Sequence, residues 1–100
     1  MGDYDYNLDK NHHALMRAHT EDGWQMFSMA WAGKHHKGWP DALGVHPFSH
    51  AIVLFEFKGP KGQLNDDQVT FHTAFTGPLE VERTAEDVRA NTMKYMKGTP

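Results

Sequence analysis

The chain has 100 residues, no cysteine and a formal charge of −3 with its eight histidines neutral. This length fits one domain, and the lack of cysteine excludes disulfides and thiolate zinc sites, as is usual in a reducing cytoplasm. The longest apolar run, 51–55, is far shorter than the roughly 20 residues of a membrane span, and no basic-then-apolar start indicates a secretion signal, so we expect a cytoplasmic protein. Because the net charge is negative, any contact with nucleic acid must come from a local basic patch.

The first part of the chain predicts one helix and one strand. Residues 1–10 show no periodicity and are expected to form a loose lead-in. The apolar spacing of residues 11–20 is typical of a short amphipathic helix, which Gly23 would end. Residues 24–31 are rich in aromatic and Met side chains and predict a strand, and residues 33–38 predict a polar, basic loop.

The middle of the chain carries the strongest strand signal. Residues 41–45 follow a proline and predict a short strand, and residues 46–49 predict a turn. Residues 50–57 contain Ile-Val-Leu-Phe and are apolar on both faces, which is typical of a central strand. Residues 58–62 contain two glycines and a proline and predict a loop, and residues 79–82 predict the last strand.

Two capping boxes predict the last two helices. Asn65 is followed three residues later by Gln68, which favours a helix to about residue 75. Thr84 and Asp87 have the same spacing and predict a final helix. After the lead-in, the predicted order is α-β-β-β-α-β-α with no internal repeat. We therefore expect a single α/β domain with a mixed (α+β) sheet over residues 11–97.

Three charged side chains near the predicted central strand form a candidate site. Glu56 and Lys58 are two residues apart, so in a strand they point to the same face about 7 Å apart. Asp41 begins the strand that would form a hairpin with the Glu56 strand, which can bring the two carboxylates together. Two carboxylates and the backbone carbonyl of Phe57 form a hard oxygen site suited to Mg²⁺ or Mn²⁺. The alternative is a strand that simply runs out into water, since Glu-x-Lys is common by chance.

These residue types suit phosphodiester hydrolysis. A divalent ion can hold a scissile phosphate, lower the pKa of bound water and stabilise the charge of the transition state. Lys58 would position or deprotonate the attacking water, or neutralise developing charge. Lys34, Lys37 and Lys61 lie in two short basic loops and would contact the DNA backbone. Solvated loops are the alternative for these three lysines.

Three segments, in order, resemble the virus-type replication-repair nuclease (VRR-NUC) family. They are Gly38-Trp-Pro-Asp-Ala-Leu43, Leu54-Phe-Glu-Phe-Lys-Gly-Pro60 and Gln63-Leu-Asn-Asp-Asp-Gln68. The first two look like the PD…(D/E)xK signature of these nucleases, and the third resembles their polar stretch leading into a helix that bears a glutamine. The similarity covers residues 11–96 and is strongest to minimal, stand-alone members from phages and prophages.

This resemblance implies a restriction-endonuclease-like αβββαβ core with an additional C-terminal helix. It implies that Asp41 and Glu56 bind Mg²⁺ or Mn²⁺, that Lys58 is the catalytic lysine, and that Gln68 supports the site from its helix. It also implies a homodimer that cuts branched DNA such as a four-way (Holliday) junction. An ordinary helix-capping role is the alternative for Gln68.

The first predicted helix departs from the family pattern. Many members carry a glutamate there that helps to bind metal, and the aligned position in this chain is Ala14. Three explanations stay open: the alignment is shifted, Glu21 substitutes, or the site binds metal more weakly. The last favours a catalytically weak or inactive nucleic-acid-binding module of the same fold. A structural or host-interaction protein with a fortuitous motif would instead keep Asp41 and Glu56 apart in space.

The histidines are numerous, and two pairs of them are adjacent, at residues 12–13 and 35–36. Adjacent side chains point about 100° apart on a helix and to opposite faces in a strand, so neither pair readily chelates one ion. We expect the histidines to face solvent or phosphate. His72 is the exception, because it lies four residues after Gln68 on the same helix face and would either line the site or pack against the sheet.

Overall fold

The computed structural model describes residues 3–97, with side chains from residue 11 onward. Within residues 3–97, no helix is long and apolar enough to cross a membrane. The elements follow in the order α1 (Asp3–Glu21), β1 (Gln25–Ser28), α2 (Ala30–His35), β2 (Ala42–Val45), β3 (Ile52–Phe57), α3 (Asp66–Ala74), β4 (Leu79–Glu82) and α4 (Ala85–Lys94).

The strands form one four-stranded sheet in the order β1-β2-β3-β4. β1, β2 and β3 pair antiparallel, whereas β4 runs parallel to β3 after a crossover through α3. β3 is therefore a central strand, and β2 and β3 form a hairpin, as predicted. The mixed sheet with helices confirms the predicted mixed α/β fold class.

Two helices differ from the sequence-based expectation. The residues expected to form a loose lead-in are helical from Asp3 on, so α1 is longer than predicted. The predicted strand over residues 24–31 ends at Ser28, and Ala30–His35 form α2 where the end of that strand and the start of a basic loop were expected. The strand ends because its partner β2 begins only at Ala42, which pairs with Ser28.

The core lies between the sheet and helices α1 and α4. Phe55 and Val53 of β3 are buried and belong to one cluster with Leu15 of α1 and Val88 of α4. The ring of Trp24 packs edge-to-face on Phe55 at a centroid distance of 5.1 Å. Truncating a buried phenylalanine to alanine costs about 3–5 kcal/mol, so Phe55 fixes the strand that carries the candidate site.

Two buried histidines tie the helices to the rest of the fold. Nε2 of His19 lies 2.6 Å from Oε1 of Glu82, both side chains are fully buried, and Asn91 donates to the other carboxylate oxygen at 2.7 Å. Nε2 of His46 lies 2.8 Å from the carbonyl oxygen of Thr92, and its Nδ1 accepts from two backbone N–H groups. The expectation that the histidines face solvent or phosphate is wrong for these two, because each ring has polar partners inside the fold.

Helix α3 contacts the opposite face of the sheet at the carboxyl end of β3, where the Gln68 side chain bonds to Glu56. It contains no fully buried residue, so its position depends on a few side-chain contacts and not on a buried apolar face. The predicted capping box is present: Oδ1 of Asn65 accepts from the backbone N–H of Gln68 at 2.9 Å, and Oε1 of Gln68 accepts from the backbone N–H of Asn65 at 2.9 Å. The start of α3 is therefore set locally by its sequence.

The loop before β2 contacts α3. Gly38 has a φ of +84°, and a Cβ at this position would collide with the carbonyl oxygen of Asp67, so glycine allows the loop to approach the helix closely. The next residue, Trp39, packs edge-to-face on Phe71 of α3 at a centroid distance of 5.0 Å. These contacts position α3 beside the end of β3.

Candidate active site

The hairpin register places Asp41 opposite Glu56. Ala42 of β2 pairs with Phe55 of β3, so the adjacent residues Asp41 and Glu56 lie opposite each other on the same face of the sheet. Oδ2 of Asp41 accepts a hydrogen bond from the backbone N–H of Phe57 at 2.7 Å. Because the N–H and C=O of one residue in an antiparallel strand point to the same side, the Phe57 carbonyl faces Asp41 as well. The structure thus brings both predicted carboxylates and the predicted carbonyl together.

The Glu56 carboxyl group is buried, with 1 % of the residue exposed. Burial raises the pKa of Glu56 to about 9; the charge of Asp41 and a hydrogen bond with its carboxyl group add to this, and the charge of Lys58 opposes it. With this raised pKa, the Glu56 carboxyl group is protonated at neutral pH in the absence of metal. Since ligand carboxylates must be deprotonated, a bound divalent cation would take the place of that proton.

Gln68 joins Lys58 to Glu56. Its Oε1 accepts from Nζ of Lys58 at 2.8 Å, and its Nε2 donates to Oε2 of Glu56 at 3.1 Å. The same Oε1 also completes the capping box at the start of α3. Gln68 is therefore both a helix-capping residue and a member of the site, so the two interpretations of this residue are compatible.

His72 lies one turn after Gln68 on α3 and faces the site. Its Nε2 is 3.6 Å from Oε1 of Glu56, and neither buried atom has a hydrogen-bond partner within the described part of the chain. Burial lowers the pKa of His72, and the charge of Lys58 lowers it further, so the neutral imidazole is favoured. A neutral imidazole, and a carboxyl oxygen without a hydrogen-bond partner once its group is deprotonated, can both bind a cation or a substrate.

The cavity in front of these groups has a volume of about 290 Å³, and α1 forms one of its walls. Asn11 donates from Nδ2 to the carbonyl oxygen of Lys58 at 2.6 Å, which ties the helix to the end of β3. The ring of His12 packs edge-to-face on Phe57 at a centroid distance of 5.1 Å. Sequence reasoning did not assign Asn11 or His12 to the site.

Neither candidate for the missing glutamate of α1 faces the cavity. Ala14 is exposed, and Glu21 is exposed about 15 Å further along the helix than the cavity wall. Among the side chains of α1 that the structure describes, from residue 11 on, the buried ones are His12, Leu15 and His19, at spacings of i, i+3 and i+7. This periodicity is the sequence signal that could have identified the inward face. It also means that the solvent-facing expectation is wrong for His12.

The donor set suits a hard divalent cation that keeps some coordination positions open. Among the side chains described, residues 11–97, no group of three or more His, Asp or Glu converges in a metal-binding arrangement. Mg²⁺ usually takes one or two carboxylates from a protein and fills its other positions with water and substrate phosphate. Asp41, Glu56 and the Phe57 carbonyl provide such a set, and the unpartnered, buried Oε1 of Glu56 is an oxygen that a cation can use. The residues present therefore fit Mg²⁺ or Mn²⁺.

The three lysines predicted to contact DNA are exposed and lie outside the cavity lining. Lys34 is in the last turn of α2, Lys37 is in the loop after it, and Lys61 is in the loop after β3. Lys37 directly precedes Gly38, which rests on α3. Lys61 follows the cavity residue Lys58 by three positions. Both therefore lie on segments that border the cavity.

No family model, curated protein or solved structure matches the chain. The site itself has three features that bear on function: the paired carboxyl groups at the end of the central strand, the lysine beside them, and the glutamine of α3 that bonds to both Lys58 and Glu56.

Proposed function

We propose that this chain is a divalent-metal-dependent nuclease that hydrolyses phosphodiester bonds in DNA. The observation that carries the proposal is the convergence of Asp41, Glu56, Lys58 and Gln68 on one cavity at the end of a central strand. Glu56 is buried beside a second carboxyl group, which raises its pKa, and residues with such strongly shifted pKa values concentrate at functional sites. The same four residues are those to which the VRR-NUC resemblance gives catalytic roles, on the restriction-endonuclease-like core that it implies.

Asp41 and Glu56, with the Phe57 carbonyl, would hold the cation. When bound, Mg²⁺ or Mn²⁺ supplies positive charge that binds the scissile phosphate and offsets the charge of the transition state. The backbone N–H of Phe57 orients Asp41, and Gln68 orients Glu56, so both carboxylates are positioned in advance. Gln68 also keeps the Lys58 ammonium group at the cavity, where it neutralises charge on the phosphate or positions the attacking water.

The proposal includes branched DNA as substrate and a homodimer as the active form. A single domain of this size offers little surface to DNA, and two-fold pairing would set two sites in a symmetric relation. Phe27 of β1 and Ile52 of β3 are exposed on the same face of the sheet as Glu56, which gives apolar surface for such pairing. The cysteine-free composition suits the cytoplasm as its location.

A second candidate function is DNA binding without efficient cleavage. The observation that favours it is the α1 wall of the cavity, where the side chains described are Asn11 and His12 and not an acid. The Nδ2 group of Asn11 is already engaged with the Lys58 carbonyl. With two carboxylates among the side chains described for residues 11–97, in place of the three of many family members, the site would hold metal less tightly. This candidate predicts DNA binding without divalent-dependent cutting.

The test is cleavage of labelled single-stranded, duplex, flapped and four-way-junction DNA with Mg²⁺ or Mn²⁺. Asp41→Asn keeps an oxygen that can accept from the Phe57 N–H but removes the charge, and Lys58→Ala removes the ammonium group. Lys97→Ala, an exposed lysine in the C-terminal segment, is the matched control. We expect cutting that depends on metal, is lost in both site variants and is unchanged in the control.

Two other outcomes lead elsewhere. If the folded wild-type protein binds DNA and cuts none of these substrates with either metal, the binding module replaces the nuclease as the conclusion. If cutting persists in Asp41→Asn and Lys58→Ala, the activity does not come from this cavity and the assignment of the site is wrong.

A further inference from the structure

The segment from residue 29 to residue 40, which contains α2 and the loop after it, forms a basic and aromatic surface that the proposed catalytic roles do not use. It carries two lysines, two histidines and two tryptophans and has no acidic residue, in a chain with a net charge of −3. Trp31 is 73 % exposed, the highest value among the large apolar side chains described for residues 11–97. The segment therefore exposes a large aromatic ring among basic side chains.

Trp31 and His35 form an aromatic pair on one side of α2. Their ring centroids are 4.7 Å apart with a tilt of 51° between the ring planes, as the i, i+4 spacing on a helix permits. His35 restricts the orientation of the indole, and most of the indole surface faces solvent. Lys34, between the two rings in sequence, and Lys37, after the helix, are exposed. The surface thus combines a flat apolar ring with positive charge.

Both ends of this segment are attached to the candidate active site. The backbone N–H of Met29 donates to the carbonyl oxygen of Asp41 at 2.7 Å. At the other end, Gly38 rests against the first turn of α3, which carries Gln68. Trp31 is two residues from Met29, so its Cα lies within roughly 12 Å of the Asp41 backbone at about 3.8 Å per residue. A strand of DNA covers that distance with a few nucleotides.

Resting on the proposed nuclease function, we propose that Trp31 stacks on an unpaired base of the substrate, so that this site acts on DNA with single-stranded character next to the scissile phosphate. Aromatic side chains beside lysines bind single strands because every base has a face that can stack. Bases inside a duplex are already stacked on their neighbours. Lys34 and Lys37 then contact phosphates of the same strand, which explains the charge of the segment.

The experiment measures binding and not cleavage. Fluorescence anisotropy of a labelled oligothymidylate and of a duplex of equal length is recorded in EDTA, for wild type, Trp31→Ala and Trp31→Tyr. Phe48→Ala is the matched control, because Phe48 is 72 % exposed and lies in the turn between β2 and β3. Loss of one stacked base weakens binding roughly 5- to 100-fold. We expect that loss for Trp31→Ala on the single strand, a smaller loss on the duplex, recovery in Trp31→Tyr and no change in the control.

Equal losses on single strand and duplex, no loss in Trp31→Ala, or wild-type preference for duplex would overturn the inference. So would conversion of a dimer to a monomer by Trp31→Ala in sedimentation, because the surface would then belong to a second copy of the chain. Failure of the nuclease proposal is a separate result. If the protein binds single strands through Trp31 but cuts no DNA, the nuclease proposal is refuted and the stacking surface is kept. If the protein cuts DNA and Trp31→Ala binds single strands as tightly as the wild type, the stacking surface is refuted and the nuclease proposal is kept.

Discussion

Replacement of Glu56 by glutamine should make the metal-free protein more stable near neutral pH. The pKa of Glu56 is raised from 4.5 to about 9, mainly by burial and by the charge of Asp41, so the folded protein retains a proton that the unfolded chain releases. Each pH unit above the unfolded pKa lowers the free energy of unfolding by about 1.4 kcal/mol. Between pH 4.5 and pH 7 the penalty reaches roughly 3 kcal/mol, which the variant does not carry.

The raised pKa of Glu56 also determines how the stability difference between the wild type and Glu56→Gln changes with pH. Below pH 4.5 the carboxyl group is protonated in both states and carries no penalty. From there to about pH 9 the wild-type protein loses stability relative to the variant as the pH rises. A glutamine can keep these contacts, because its oxygen can accept from Nε2 of Gln68 and its amide group can donate to Asp41, as the protonated Glu56 does. Lys58 and His72 are present in both proteins and do not alter the sign.

The assay is urea denaturation in EDTA at several pH values from 5 to 8, followed by tryptophan fluorescence. Glu86→Gln, at an exposed acid in the first turn of α4, is the matched control. We expect the advantage of Glu56→Gln to grow with pH and that of the control to stay near zero. Added Mn²⁺ should stabilise the wild type and not Glu56→Gln. Equal stability of wild type and Glu56→Gln, or an advantage that does not change with pH, would refute the reasoning about the carboxylate pair.

Three other substitutions test separate parts of the structure. Gln68→Ala removes the link between Lys58 and Glu56 and should weaken Mn²⁺ binding about 10- to 100-fold by calorimetry, and unchanged affinity would remove Gln68 from the site. Gly38→Ala should lower the free energy of unfolding by more than about 2 kcal/mol, since the residue needs a positive φ and has no room for a Cβ, and a neutral effect would contradict the close approach of the loop to α3. Glu82→Ala leaves His19 buried without its partner and should lower the free energy of unfolding by about 3–5 kcal/mol in urea denaturation. Cleavage below the melting temperature should persist. Loss of cleavage in the folded variant would instead place the His19–Glu82 pair in the active site.

The sequence predicted the parts of the fold that local signals determine. The capping boxes at Asn65 and Thr84 set the starts of α3 and α4, and both are present in the structure. The apolar run in β3 predicted the central strand, and the short strand before it predicted the hairpin. From that hairpin, the proximity of Asp41 and Glu56 followed, because residues opposite each other in antiparallel strands share a face.

Helix α2 could not be predicted, because residues 24–31, which overlap its start, are rich in aromatic and Met side chains that favour a strand. In the structure, the strand ends when its partner ends, and the next turn forms with the Met29 N–H bound to the Asp41 carbonyl and the Gly33 N–H bound to the Met29 carbonyl. The first of these is a tertiary contact that no local pattern encodes. Trp31 thereby lies on an exposed helix and not within a strand.

The sequence also did not show which residues of α1 face the cavity. Alignment by resemblance placed Ala14 at the cavity, whereas the structure places Asn11 and His12 there. Neighbouring residues on a helix point about 100° apart, so an alignment error of one position changes which residues face inward. A short apolar pattern is not enough to exclude such an error. The buried partner of His19, Glu82, is 63 residues away in sequence, and such a long-range pair fixes the phase only once the sheet is formed.

The central claim is that Asp41, Glu56 and the Phe57 carbonyl hold a divalent cation, and a crystal structure of the protein soaked in Mn²⁺ tests it most directly through the anomalous signal of the metal. We predict an anomalous peak between the two carboxylates, with the Glu56 Oε1 atom as a ligand, and loss of that peak in crystals of Glu56→Gln. Mn²⁺ bound elsewhere, for example at the exposed histidines of residues 35–36, with none between Asp41 and Glu56, would contradict the claim.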